Sequence, residues 1–88
     1  MKIVIHKSFQ KDASSIIDAK ENKKIADTIQ KFSDFCQLSD IKNLKKLSGK
    51  KNYYRLRIGD YRLGLIIEND NVHFVRILHR KDIYKYFP

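Results

Sequence analysis

The stretch YYRLRIGDYRLGLIIE, residues 53–68, alternates apolar and polar side chains on both sides of a Gly-Asp pair. A period of two marks half-buried strands, and a two-residue loop with glycine first suits a type II′ hairpin turn. Tyr53–Ile58 and Tyr61–Glu68 are therefore predicted as strands joined by Gly59-Asp60. Successive side chains alternate across a strand. Tyr54, Leu56 and Ile58 then point one way, and Tyr53, Arg55 and Arg57 the other. In the second strand Tyr61, Leu63, Leu65 and Ile67 share a face opposed by Arg62, Gly64, Ile66 and Glu68.

Downstream, Asn69-Asp70-Asn71 reads as the next turn and Val72–Leu78 as a third strand. Strict alternation there sends Val75 and Ile77 to one face, and Val72, Phe74, Arg76 and Leu78 to the other. Upstream, Ser39–Lys51 is polar and basic, with Ile41, Leu44 and Leu47 spaced as a short helical turn. It is expected to be a surface connector pinned by those three side chains. Before it the period is helical. Phe9, Ala13, Ile16 and Ile17 form one stripe, with Ser8 as its N-cap. Ile25, Ile29, Phe32 and Cys36 form a second, with the break expected at Lys20–Lys23. Two tightly joined amphipathic helices suggest an antiparallel hairpin. Met1–His6, with Ile3 and Ile5 on one face, is a first strand. The expected class is α+β: an N-terminal strand, a two-helix hairpin and an antiparallel three-stranded meander, with one sheet packed on the helices.

The 88 residues suffice for one domain, 1–88. No run approaches the roughly 18 apolar residues of a membrane span. The N-terminal MKIVIHKSFQ lacks the apolar core and cleavage site of a secretion signal, so a cytoplasmic location is expected. Cys36, the one cysteine, reads as a small buried hydrophobe. The net charge of +9 is lopsided. Residues 1–40 carry 7 Lys/Arg against 6 Asp/Glu, a net of +1, whereas residues 41–88 carry 12 against 4, a net of +8. Positive charge gathered in one half favours a polyanionic partner.

The alternation puts Arg55, Arg57, Arg62 and Arg76 on the sheet face turned away from the helices. Guanidinium groups crowded on an open face repel one another unless an anion sits among them, and their forked donors match phosphate oxygens. The bland alternative is that each arginine caps a strand edge or pairs with Asp60, Glu68 or Asp70. At the end of the last strand comes His79-Arg80-Lys81-Asp82-Ile83-Tyr84. A histidine there can move protons near neutral pH, and Tyr84 can stack on an unpaired base or hydrogen-bond a reacting oxygen. Lys50, Lys51 and Lys81 extend the basic surface expected to meet a polyanion. His6 and His73 have no such company and read as structural. Three isolated histidines without an acidic cluster argue against a metal-dependent nuclease, and no cofactor is expected.

The stretch Tyr54–Leu63, followed by His79–Tyr84, resembles the paired signature of RelE/ParE-superfamily toxins. The likeness covers nearly the whole chain, and its C-terminal half is the specific part. RelE-type relatives cleave messenger RNA without metal, usually on the ribosome, through attack of the 2′-hydroxyl on its own phosphate. This implies a cognate antitoxin, small and acidic, with mRNA and the ribosome as further partners and no membrane. Arg55 and Arg57 match basic positions that are often lysine in the family. Arg62 matches the phosphate-holding arginine, His79 and Arg80 the basic positions after the last strand, and Tyr84 the terminal tyrosine. The resemblance thus implies His79 and Tyr84 as proton-transfer groups with Arg62 and Arg80 stabilising charge. Arg55, Arg57, Arg76, Lys50, Lys51 and Lys81 would bind RNA. Arginine in the lysine positions leaves the general base unassigned. Three alternatives stay open: a ParE-like poison of DNA gyrase, a non-catalytic RNA-binding domain, and a toxin that has lost activity.

Overall fold

A computed structural model of the chain describes residues 1–34 and 37–88. The elements run β1 (Lys2–Ile5), α1 (Lys7–Ser14), α2 (Ala19–Ser33), a single 3-10 turn (Leu38–Asp40), β2 (Leu44–Lys46), β3 (Tyr53–Ile58), β4 (Tyr61–Glu68), β5 (Asn71–His79) and α3 (Ile83–Tyr86). One five-stranded sheet has the order β1-β5-β4-β3-β2. β1 lies parallel to β5 and every other pairing is antiparallel. The α+β class, with one sheet against helices, is as the sequence predicts.

The hairpin that anchored that reading forms with the expected bounds. Gly59 takes φ +56° while Asp60 does not enter the left-handed region, the pattern of a type II′ turn. The next turn is tighter than expected. Asn69 and Asp70 both take positive φ, 50° and 65°, so two residues make the loop and β5 starts at Asn71.

Four local expectations are corrected. The connector Ser39–Lys51 contains a strand, since Leu44–Lys46 pairs with β3 and makes the antiparallel part four-stranded. Three residues with one apolar side chain are too few for a period to show. Second, strict alternation fails in β5. Gly64 faces Arg76 and Leu65 faces Phe74, which leaves Val75 unopposed as a bulge. Val72, Phe74 and Ile77 consequently share the helix side, all at most 1% exposed. Third, α1 is capped at His6, not Ser8. Ser8 lies inside the helix, and its hydroxyl donates to the carbonyl of the bulged Val75. Fourth, the helix break falls at residues 15–18 and not at Lys20–Lys23. Asp18 ends it as the N-cap of α2, its Oδ1 accepting from Lys20 N–H at 2.8 Å. Ile17, in that break, is 94% exposed and leaves the predicted stripe. Cys36 lies outside the described residues.

The helices cover one face. Phe9 from α1 and Phe32 from α2 both meet Phe74 edge-on, with centroids 5.6 and 5.5 Å apart. Leu56, Leu63, Leu65, Val72 and Ile77 complete this core from the strands. The opposite face is not fully open, contrary to the expectation from alternation. Ile83 and Phe87 are buried there outside the main core, and Phe87 packs on the Tyr53 ring at 5.6 Å. The C-terminal segment thus crosses the middle of the arginine-bearing face. Among the described residues no helix is long and apolar enough to cross a membrane.

Candidate functional site

The antiparallel register sets Arg57 directly opposite Arg62, and Arg55 opposite both Gly64 and Lys45. These side chains share the face turned away from the main core. With Asn43, Leu44 and Tyr84 they line a groove of about 340 Å³ that contains no carboxylate. Like charges placed directly across a sheet are destabilising, so the cluster is a cost that folding does not explain. Among the described residues none of the three arginines pairs with an acid. The alternative of partnering by Asp60, Glu68 or Asp70 is therefore not what the structure has.

Each guanidinium is held in place by neutral groups. Arg57 Nη2 donates to Asn43 Oδ1 at 3.1 Å. Arg62 Nη1 donates to the carbonyls of Gly59 and Tyr61 at 2.9 and 3.0 Å, so the hairpin turn aims it. Arg55 lies under the Tyr84 ring, with Cζ 4.4 Å from the centroid. Its Nε is buried and makes no hydrogen bond. A buried donor left unmade costs about 1–3 kcal/mol. Tyr84 itself is 68% exposed, leaving its outer ring face free for stacking.

The other predicted residues are distributed around this centre. Lys50 lines a second hollow, of about 460 Å³, that shares Lys45 and Arg55 with the groove, and Lys51 lies just beyond it. The basic strip is thus continuous from Arg62 to the β2–β3 loop. Arg80 and Lys81 are exposed past the end of β5, where Arg80 N–H donates to Asp60 O at 2.8 Å. Arg76 is not part of the groove. Its Nε and Nη2 donate to Asp12 of α1 at 2.6 and 3.0 Å, and this hydrogen-bonded carboxylate raises its pKa above the ordinary guanidinium value. His79 is also apart. It pairs in register with Tyr61, their rings edge to face at 6.0 Å, which puts it on the opposite side of the sheet from Arg62. Its Nδ1 accepts from Lys81 N–H at 3.2 Å. His6 and His73 hydrogen-bond each other at 3.0 Å across β1 and β5, consistent with structural roles.

Two groove residues were missed in the sequence, Asn43 and Lys45. Both depend on β2. The available signal was a pair of asparagines in left-handed conformation bracketing the strand and its loop, Asn43 (φ 66°) and Asn52 (φ 67°). Among the described residues no three His, Cys, Asp or Glu side chains gather as a metal-binding group.

Comparison with known proteins places these features in context. A family model described as the ParE toxin of the type II toxin–antitoxin system parDE matches residues 3–84. The toxin RelE3 of Methanocaldococcus jannaschii is 40% identical over 89 residues, covering all of both chains. In the crystal structure of a RelB–RelE antitoxin–toxin complex from Methanococcus jannaschii, the matched chain has TM-score 0.83 and 37% identity, with 97% of this chain and 99% of that one covered. A chain of the RelBE2 toxin–antitoxin complex of Mycobacterium tuberculosis matches with TM-score 0.62 at 17% identity, covering 90% and 96%, a likeness of fold alone.

Proposed function

The chain belongs to the RelE/ParE superfamily of type II toxins, and from that premise we propose that it is a metal-independent endoribonuclease acting on mRNA at the ribosome. The observation that carries this reading is the groove itself: three arginines and a lysine converge under one tyrosine with no carboxylate among them. Such a site fits a phosphodiester backbone better than any neutral ligand. In the reaction, the 2′-hydroxyl oxygen attacks the adjacent phosphorus and the bond to the 5′-oxygen breaks. A 2′,3′-cyclic phosphate and a free 5′-hydroxyl result. The attacking hydroxyl loses a proton and the leaving oxygen gains one. Charge grows on the phosphate oxygens between these events, where Arg55, Arg57 and Arg62 stand to stabilise it. Arg80, Lys50, Lys51 and Lys81 hold flanking backbone.

For the proton steps the groove favours Lys45 and Tyr84 over His79, which lies across the sheet. The Lys45 ammonium can give a proton to the leaving 5′-oxygen, and the Tyr84 hydroxyl can accept a hydrogen bond from the attacking 2′-hydroxyl and pass its proton on to solvent water. The +9 charge suits a small acidic antitoxin, in keeping with the antitoxin-bound state of the M. jannaschii relative.

Inducible expression of the chain, with transcript 5′ ends mapped on and off ribosomes, tests the reading. Cuts in frame with codons, ending in cyclic phosphate, are expected. Growth arrest with damaged DNA and intact transcripts would instead establish the gyrase-directed alternative that the ParE match keeps in view.

A further inference from the structure

Tyr84 reaches the groove from a segment that has no strand pairing to hold it, so something else must fix its ring over Arg55. Ile83 beside it is fully buried, but a single buried neighbour leaves the segment free to pivot. The second fixed point is Phe87. It is 3% exposed, packs on Tyr53 and lies on Gly64 so closely that a Cβ there would come within 2.5 Å of the ring. Real Cβ atoms essentially never approach ring carbons so closely. Gly64 is opposite Arg55 in the register, so the Phe87 seat and the Tyr84–Arg55 stack are neighbours on one face. On the other side of Gly64, Tyr86 lies over Arg76, 5.6 Å from Cζ to centroid, and Arg76 is in turn pinned by Asp12 of α1.

We infer that Phe87, seated on Gly64, is the positioning residue that holds Tyr84 over Arg55. Gly64 is present because this is the one place in β4 where a ring must touch the backbone. The absence of a side chain at the centre of the arginine face is therefore part of the site. This inference rests on the proposed RNA cleavage only for its catalytic consequence; the seating itself is a statement about packing.

The test uses the full chain. In Phe87→Ala the tail loses its seat while the helix-side core is untouched. The ring-current shift of the Arg55 side-chain protons, read by NMR, is expected to collapse toward the unshielded value. On a single-stranded RNA oligonucleotide, kcat is expected to fall about 10- to 100-fold with KM within about threefold, as a displaced catalytic group predicts. Phe87→Leu should restore most of both. Gly64→Ala should mimic Phe87→Ala and add nothing to it in the double variant, because the atoms nearest the added methyl are those of that ring. Retention of the Arg55 shift in Phe87→Ala would overturn the inference, as would additive losses in the double variant; loss of the shift with kcat unchanged would uphold the seating and overturn its catalytic consequence. If the wild-type chain leaves RNA intact while the shift still collapses in Phe87→Ala, the seating stands and the nuclease reading is what fails.

Discussion

Arg57 and Arg62 face each other directly across β3 and β4, with no carboxylate beside either in the described residues. Cross-strand like charges cost about 0.2–1 kcal/mol. Arg57→Gln should therefore not destabilise the fold and should raise its stability by up to about 1 kcal/mol, measured by urea unfolding. The same change should lower RNA cleavage by about 100-fold, because a donor to the growing phosphate charge is lost. Stability falling together with activity would mean the pair serves the fold. Arg62→Lys separates charge from geometry: RNA affinity should hold within a few-fold while kcat falls, since an ammonium lacks the fork.

Four cations line the groove, namely Lys45, Arg55, Arg57 and Arg62. For single-stranded RNA the affinity should fall with salt at a logarithmic slope of about −0.7 per phosphate neutralised, hence roughly −3 for the groove alone. Fluorescence anisotropy with an uncleavable 2′-deoxy strand gives the slope. Lys50→Gln with Lys51→Gln should make it shallower by up to about 1.4 and leave single-turnover kcat unchanged. A slope unaffected by these two changes would confine binding to the groove.

Asp12 accepts from Arg76 Nε, Arg76 Nη2 and the Ile77 N–H, tying α1 to the part of β5 beyond its pairing with β1. Asp12→Ala leaves a half-buried guanidinium and a strand N–H without their acceptor. The expected loss is about 2–3 kcal/mol by chemical denaturation, below the full cost of breaking a buried pair because Arg76 keeps some contact with water. The raised pKa of Arg76 means its contribution is fully present below the ordinary guanidinium value and is lost only as pH rises past the folded one. From the Arg76 side, then, the Asp12→Ala difference should be the same at pH 6 and pH 9. A difference that shrinks over that span would assign the stabilisation to another group.

What the sequence made legible follows from the length of each signal. Tyr53–Glu68 has two full strands of alternation around a glycine turn, and both bounds and facing came out as read. Leu44–Lys46 has three residues, so β2 and with it Lys45 were invisible, although the charge of the segment was plain. The bulge at Val75 depends on what Ser8 and Asp12 of α1 do to the strand edge, a tertiary effect that no local pattern carries. The same bulge sets Arg76 opposite Gly64, on the face of Arg55 and Arg62, where Asp12 of α1 holds it outside the groove. His79 illustrates the limit of resemblance: it stands at the end of the last strand as the motif requires, but the register pairs it with Tyr61, on the side away from Arg62.

That placement makes the proton-transfer assignment testable by three substitutions compared on one substrate. Removal of a general acid or base costs about 10²–10⁴-fold in rate. Lys45→Met and Tyr84→Phe are each expected to fall in that range, the second with little change in fold because only a hydroxyl on a 68%-exposed ring is lost. His79→Ala is expected to lose less than about tenfold, as its ring packs on Tyr61 and its Nδ1 serves the Lys81 N–H. The pH–rate profile adds a second axis. If His79 moved the proton, its removal would abolish a limb of the profile near neutral pH, whereas a packing role leaves the shape intact and lowers only the height. A loss of 10²-fold or more in His79→Ala together with a vanished limb would return the base to His79, and would require the end of β5 to turn toward the groove when RNA binds.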